Sequence, residues 1–288
     1  MTRLAALAAL HAAVALFGFA GLFGKWLQLS PVAIVLGRTA IAAIALGLLR
    51  LKAGRRARFD VRLAANGVVL ALHWVSFFAA IEVSTVAIGL LGFASFPVFT
   101  LVVERLFLKR RFGMGEGLTA SLVTCGLIIL VPELALSNPV VLGLAWGLVS
   151  GFTFALLAVM NRHWALRRAA TDIAFWQNLC AAVALLPFAG AVLSGPAIGA
   201  REILLLIVLG LACTALAHTL FIAGLSTISA HTASVIAALE PVYGIVFALA
   251  LLGEVPATRT LAGGTLIVAA AIVATRRAGT KAPSRGGT

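Results

Sequence analysis

The chain carries one stretch twice. Residues 66–108 and 210–252 align without a gap at an offset of 144, half of the 288-residue length. Ala71, Leu72, Phe77, Ala79, Ala94, Pro97, Val98, Val102 and Leu108 recur as Ala215, Leu216, Phe221, Ala223, Ala238, Pro241, Val242, Val246 and Leu252. A shorter echo lies upstream, with Phe17, Gly18 and Lys25 falling on Phe154, Ala155 and Arg162. A duplication this long restricts the fold to two like units related by a rotation.

The solvent of those units follows from composition. The chain is 62% hydrophobic and 11% charged, with mean hydropathy +1.12, whereas a soluble domain has about 25% charged residues. Such a surface belongs in lipid. Crossing the apolar core takes roughly 20 residues of helix. Charges and turn residues divide the chain into ten segments of that length: 4–23, 31–50, 62–81, 85–104, 112–131, 140–160, 171–193, 202–223, 230–252 and 258–275. The alternating polarity of a membrane barrel strand is missing from them. The expected fold is all-α, with ten transmembrane helices.

Lys and Arg set the orientation. With the N-terminus cytoplasmic, 18 of the 22 basic residues fall on cytoplasmic loops and tails. Lys25, Arg201 and Arg259 fall outside, and Arg38 alone lies within a span. The same bias accounts for the +13 net charge through topology and anionic lipid, with no nucleic-acid partner. Five spans per copy is an odd number, so the second copy enters the membrane from the opposite side. The reading is therefore two inverted five-helix repeats around a central cavity, at 1–135 and 136–278, with both termini cytoplasmic and a flexible tail at 279–288. The first apolar run is longer than the core of a cleavable signal peptide, usually ~7–15 residues. Cys125, Cys180 and Cys213 fall inside spans, with no metal spacing and no disulfide framework. No cofactor is expected, and ten helices suffice to enclose a cavity in a monomer.

The duplicated Pro97 and Pro241 helices carry a family resemblance. So do Glu240-Pro241-Val242, Leu252-Gly253-Glu254, Gly263-Gly264, and the opening pairs Phe17-Gly18 and Phe154-Ala155. In these the chain resembles the drug/metabolite transporter superfamily, in its ten-helix EamA-type branch. It departs from the pattern where the first copy has Lys109-Arg110 against Gly253-Glu254. The resemblance implies two five-helix halves and export of small metabolites. Members similar to this one carry amino acids, aromatic ones included.

Polar groups at membrane depth need a partner or a wet cavity. Glu240 is the acidic side chain nearest the middle of a span, beside Pro241, and suits an ammonium group or a proton. Arg38 suits a carboxylate or caps carbonyls. His11, His73 and His218 are candidate proton relays. Pro97 and Pro241 read as matched kinks, hinges or shapers of the bundle, with the Ser95 hydroxyl placed to satisfy freed backbone. Gly143, Gly147 and Gly151 form a small-residue stripe for close helix packing, with Trp146 and Ser150 on the adjoining arc. Phe17, Trp74, Phe77, Trp146, Phe221 and Tyr243 are candidates for an aromatic-tolerant pocket. The copies differ at Phe96 against Glu240, Phe99 against Tyr243, and Trp74 against His218, positions where a substrate would be read.

The leading expectation is a secondary transporter exporting small amphiphilic metabolites, most often amino acids, from the inner membrane of a bacterium. Its partners are the substrate and the bilayer. Proton-coupled multidrug efflux is the alternative, although the first span holds His11 and no acid. An intramembrane enzyme is the reading from a different class. Gly147-Leu148-Val149-Ser150-Gly151 departs from G-x-S-x-G, and no His–acid pair is placed by sequence to activate Ser150. No Walker motif couples the chain directly to ATP.

Overall fold

The computed structural model describes residues 1–54, 59–108, 114–130, 135, 137–193, 195–228, 233 and 236–279. Arg55, Arg56, Arg58, Lys109, Arg110, Arg111, the tail at 280–288 and most of 230–235 lie outside the described residues. Among the described residues every element is helical. In order they are α1 (Arg3–Ala20), α2 (Phe23–Trp26), α3 (Pro31–Lys52), α4 (Val61–Val83), α5 (Val86–Phe93), α6 (Phe96–Leu108), α7 (Met114–Leu130), α8 (Pro139–Ala165), α9 (Ala170–Leu185), α10 (Ala189–Leu193), α11 (Ala200–Gly210), α12 (Ala217–Leu225), α13 (Glu240–Leu252) and α14 (Thr258–Gly279).

The starts of these helices are written locally. Thr2, Ser30, Thr85 and Asn138 each turn a side-chain oxygen onto a backbone N–H of the first turn. Pro31 and Pro139 follow two of those caps, where a missing N–H costs nothing. Six helical stretches among the described residues are long and apolar enough to cross a membrane: Arg3–Trp26, Pro31–Lys52, Val61–Val83, Pro139–Ala165, Ala170–Phe188 and Ala200–Leu225. Their outward faces remain apolar, with Ile44, Leu48, Val68, Leu72, Phe152, Leu204 and Leu216 exposed. That surface is tolerable only against lipid. The protein is a multi-pass membrane protein.

Two interruptions shape the interior. Pro97 and Pro241 do not bend continuous helices, as the sequence suggested. Each stands at the second position of a new helix, α6 or α13, with a turn immediately before it at Ala94–Ser95 and Ala238–Leu239. Proline disfavours helical backbone in the residue before it, yet fits the first turn of a helix. The span therefore breaks and restarts. The Ser95 hydroxyl donates to the Gly92 carbonyl at 2.7 Å across the first break. The second interruption is a π-helical turn at Leu211–Leu216, joining α11 to α12 in one continuous stretch. The extra residue per turn displaces carbonyls from the regular ladder.

Small residues let the backbones meet. Along α8, Gly143 faces Ser84 and Ile88, Gly147 faces Gly92, and Gly151 faces the Phe93 carbonyl. On α1, Gly18 lies against Glu240, Tyr243 and Gly244 of α13. A Cβ on Gly147 would lie 2.8 Å from the Gly92 Cα, which is backbone and has no rotamer to escape into. Gly147→Ala is expected to cost about 1–3 kcal/mol, seen as a lower Tm in detergent. Gly190→Ala, where a Cβ meets nothing within 4 Å, is the control and leaves Tm unchanged.

Candidate functional site

The interior of the bundle holds a narrow cavity whose water-accessible volume is ≈ 30 Å³, well below that of an open small-molecule site. A solute must therefore part its walls to enter. Eight of the residues singled out from sequence line it: Phe17, Arg38, His73, Trp74, Phe77, His218, Phe221 and Glu240.

Arg38 sits on α3 and is 1% exposed. A guanidinium stays charged in proteins, so this one needs donors satisfied within the protein. The π-helical turn supplies them. Arg38 Nε donates to Thr214 Oγ1 at 2.8 Å, and Nη2 to the Cys213 carbonyl at 3.2 Å. Thr214 Oγ1 in turn donates to the Leu209 carbonyl at 2.7 Å, so its lone pairs point toward the arginine. Above the guanidinium lies the Trp74 ring, 4.0 Å from its centroid. Among the described residues Arg38 therefore closes no ion pair, and it is buried and does not snorkel. It caps carbonyl and hydroxyl oxygens of the facing span and leaves the rest of its fork to the cavity.

Glu240 opens α13 at the second helix break and is 5% exposed. Its carboxyl stands at the positive end of that helix. Among the described residues it makes no hydrogen bond, and its oxygens are not sealed from the cavity. Arg38 and Glu240 interact electrostatically without pairing directly.

Each cavity histidine meets a polar neighbour through one ring nitrogen. His73 Nδ1 lies 3.0 Å from the Ser150 carbonyl, which only accepts, so Nδ1 carries the proton and Nε2 keeps a lone pair. His218 Nε2 lies 2.8 Å from Gln177 Oε1 and donates to it, leaving the lone pair on Nδ1. Ser150 Oγ also lies 3.0 Å from His73 Nδ1. That pair resembles a nucleophile and its base, but the nitrogen involved is already a donor to the Ser150 carbonyl and cannot take the serine proton. Ser150 is buried within the packing of α8 on α4.

Aromatic rings complete the walls. Phe93 and Phe154 pack at 5.1 Å, Phe17 and Phe221 at 5.8 Å, and Trp74 and His218 at 5.8 Å. The remaining sequence candidates lie elsewhere. His11 is exposed on α1, and Trp146 is 41% exposed on the outward face of α8. Tyr243 packs beside the core near Gly18 without lining the cavity. Pro97, Pro241, Gly143, Gly147 and Gly151 are packing and break positions. Among the described residues no group of three His, Cys, Asp or Glu side chains could hold a metal.

Sequence reasoning passed over the buried amides. Asn66, Asn161, Gln177 and Asn178 are at most 3% exposed. Gln177 Nε2 donates to Asn161 Oδ1, and Asn66 Nδ2 approaches the same oxygen at 3.5 Å. A census of uncharged amides in the spans would have found them. The role of Thr214 had no local signal, because it depends on the π-helical turn.

A search of protein families matches the EamA-like transporter family twice, over residues 4–131 and 141–276. The chain belongs to this family. It is 27% identical over 201 residues to an uncharacterized transporter of Archaeoglobus fulgidus, covering 70% of this chain and 71% of that one. A crystal structure of a protein 18% identical in sequence superposes with a TM-score of 0.69, covering 97% of this chain and 99% of its own. That second likeness concerns the fold alone. The EamA-like transporter is thus a membrane transporter of small molecules.

The housing of Arg38 makes a separable prediction. Thr214→Ser keeps the hydroxyl and is expected to keep stability. Thr214→Val leaves a buried charged donor unmet and should cost about 1–3 kcal/mol, read as a loss of thermal stability in detergent.

Proposed function

We propose that this EamA-like transporter is a secondary exporter of small amphiphilic metabolites, amino acids including aromatic ones foremost, working by alternating access between two inverted five-helix halves. The observation that carries the reading is one aromatic-walled cavity holding an arginine and an open carboxyl. Arg38 offers a donor to a substrate carboxylate. Glu240 offers an acceptor to its ammonium, and Phe17, Phe77, Phe154 and Phe221 offer apolar surface to its side chain. A zwitterion needs all three.

Packing supports the two-fold. α8 lies against α4, α5 and α6, while α1 lies against α12, the π-helical turn and α13. At the 144-residue offset, α11–α12 and α13 are the counterparts of α4 and α6. Each opening helix thus packs on the third and fourth spans of the other copy. α3 packs on α9, and α7 on α14, each pair being one segment and its own counterpart. Such reciprocity is what a two-fold produces. Five spans per copy then make it an in-plane axis, with both termini in the cytoplasm of a bacterial cell and the arginine-rich loops beside anionic lipid. The contracted cavity corresponds to an occluded step, and one chain provides every wall.

Proton-coupled drug efflux is the second reading, favoured by the acceptors of Glu240, His73 and His218 on one cavity. It would run through Glu240, since the first span has no acid and His11 faces outward.

Proteoliposomes carrying the purified protein are expected to take up labelled amino acids down a gradient; no uptake across an amino-acid panel sinks the assignment. Glu240→Gln is expected to alter the pH profile of that uptake. An unaltered profile removes Glu240 from proton coupling.

A further inference from the structure

The amides behind the cavity form one connected chain of hydrogen bonds. Gln177 Oε1 can only accept, so His218 is protonated at Nε2. Gln177 Nε2 can only donate, so its partner on Asn161 is the carbonyl oxygen. Asn66 Nδ2 aims at that same oxygen. Asn161 lines the cavity. Its Oδ1 being taken from behind, its Nδ2 is left without a bond among the described residues and is not sealed off. One connected arrangement thus presents a donor at Asn161 and a lone pair at His218 Nδ1 to the same space. The reversed arrangement, with both amides turned over, would present an acceptor at Asn161 and a proton at His218. Gln177, itself 0% exposed, touches no solute in either case. It forces the two ends to change together.

We propose that Asn161 and His218 form an amino-acid-reading pair, with the substrate carboxylate on Asn161 Nδ2 and its ammonium on His218 Nδ1 beside Glu240, and that Gln177 is the positioning residue enforcing their complementarity. This rests on the amino-acid reading above and adds the residues that discriminate. A carboxylate bound at Asn161 holds the relay in the arrangement that also welcomes the ammonium. An amine without a carboxylate gives the relay nothing to hold. Selectivity for amino acids over their decarboxylated amines is therefore built behind the wall and not only in it. Arg38 cannot supply this alone, because two of its nitrogens are committed to α12's approach at Cys213 and Thr214.

The test compares labelled phenylalanine with phenethylamine, its decarboxylated amine, in proteoliposomes. Native protein is expected to favour phenylalanine. Asn161→Asp is close to isosteric and keeps an oxygen for Gln177, but turns a second oxygen on the solute; it should lower the phenylalanine-to-amine ratio of kcat/KM by tenfold or more. Gln177→Met removes the coupling and should lower the same ratio through KM for phenylalanine, with amine transport retained as the sign that the protein is folded. Should Gln177→Met move neither compound, the Asn161→Asp ratio decides. A native protein that transports phenylalanine, with a ratio unchanged by these variants, overturns the relay and leaves the transport reading standing. A native protein that moves no amino acid overturns the reading on which the relay rests.

Discussion

A permanent positive charge buried among apolar helices is the constraint around which this interior is arranged. Leaving Arg38 unmet would cost several kcal/mol. An acid alongside would meet it and also neutralise it, with no field left for a solute. The protein instead meets it with a hydroxyl, one backbone carbonyl and the face of a tryptophan. Each stabilises the cation and none cancels it. The carbonyl is available because Leu211–Leu216 is wound as a π-helix, so the local irregularity of one span and the charge on another explain each other. Arg38 on α3, Trp74 on α4 and the turn before α12 are thereby held together, with Arg38 and Trp74 lining the cavity.

Duplication supplied the frame and its decay supplied the chemistry. Phe77 and Phe221, equivalent in the two copies, both line the cavity, as do Phe17 and Phe154. These pairs build matching apolar walls. At the same offset Leu70 corresponds to Thr214, Trp74 to His218 and Phe96 to Glu240. In each case the first copy has an apolar or aromatic side chain and the second a polar one, while His73 against Ala217 runs the other way. A fully symmetric cavity would present equal fields to both ends of a solute. The mismatches give it an orientation, with the ring of Trp74 serving Arg38 on one side and the edge of His218 on the other.

How far the sequence could be read follows from what sets helical phase in lipid. Spans, breaks and the rare ionised groups were visible because each carries a large penalty or a backbone constraint. Arg38 and Glu240 are both buried inside the bundle, while Pro97 and Pro241 restart helices and do not bend them. Which way a residue faces was harder. Lipid tails and a packed core are equally apolar, so the sides of a span differ little in composition. Trp146 and His11 could not be told from cavity residues on that basis, and both turn outward. The amides failed for another reason. Asn and Gln carry no charge and disturb hydropathy only slightly, yet four of them gather at the contact of α4, α8 and α9. No spacing along the chain connects Asn66, Asn161 and Gln177.

The two ends of the bundle are held by forces of different kinds. Where α3 ends and α9 begins, Arg50 Nε meets Asp172 at 2.7 Å under the ring of Phe175, and Arg168 reaches Asp60 at 3.5 Å. Both ion pairs join the first half of the sequence to the second. Toward the other end, Lys25 Nζ donates to the Ser84 carbonyl at 2.6 Å and Val86 N–H to Glu254 Oε2 at 3.1 Å, beside glycine contacts between α5 and α8. An ion pair parted by incoming water recovers hydration for both partners, so its rupture costs far less than its burial implies. Backbone packed on backbone recovers nothing comparable, since the dispersion contacts are lost outright. The ends therefore differ in how much of their binding water can replace. The glycine contacts hold the backbones of α5 and α8 together beside the helix break before Pro97.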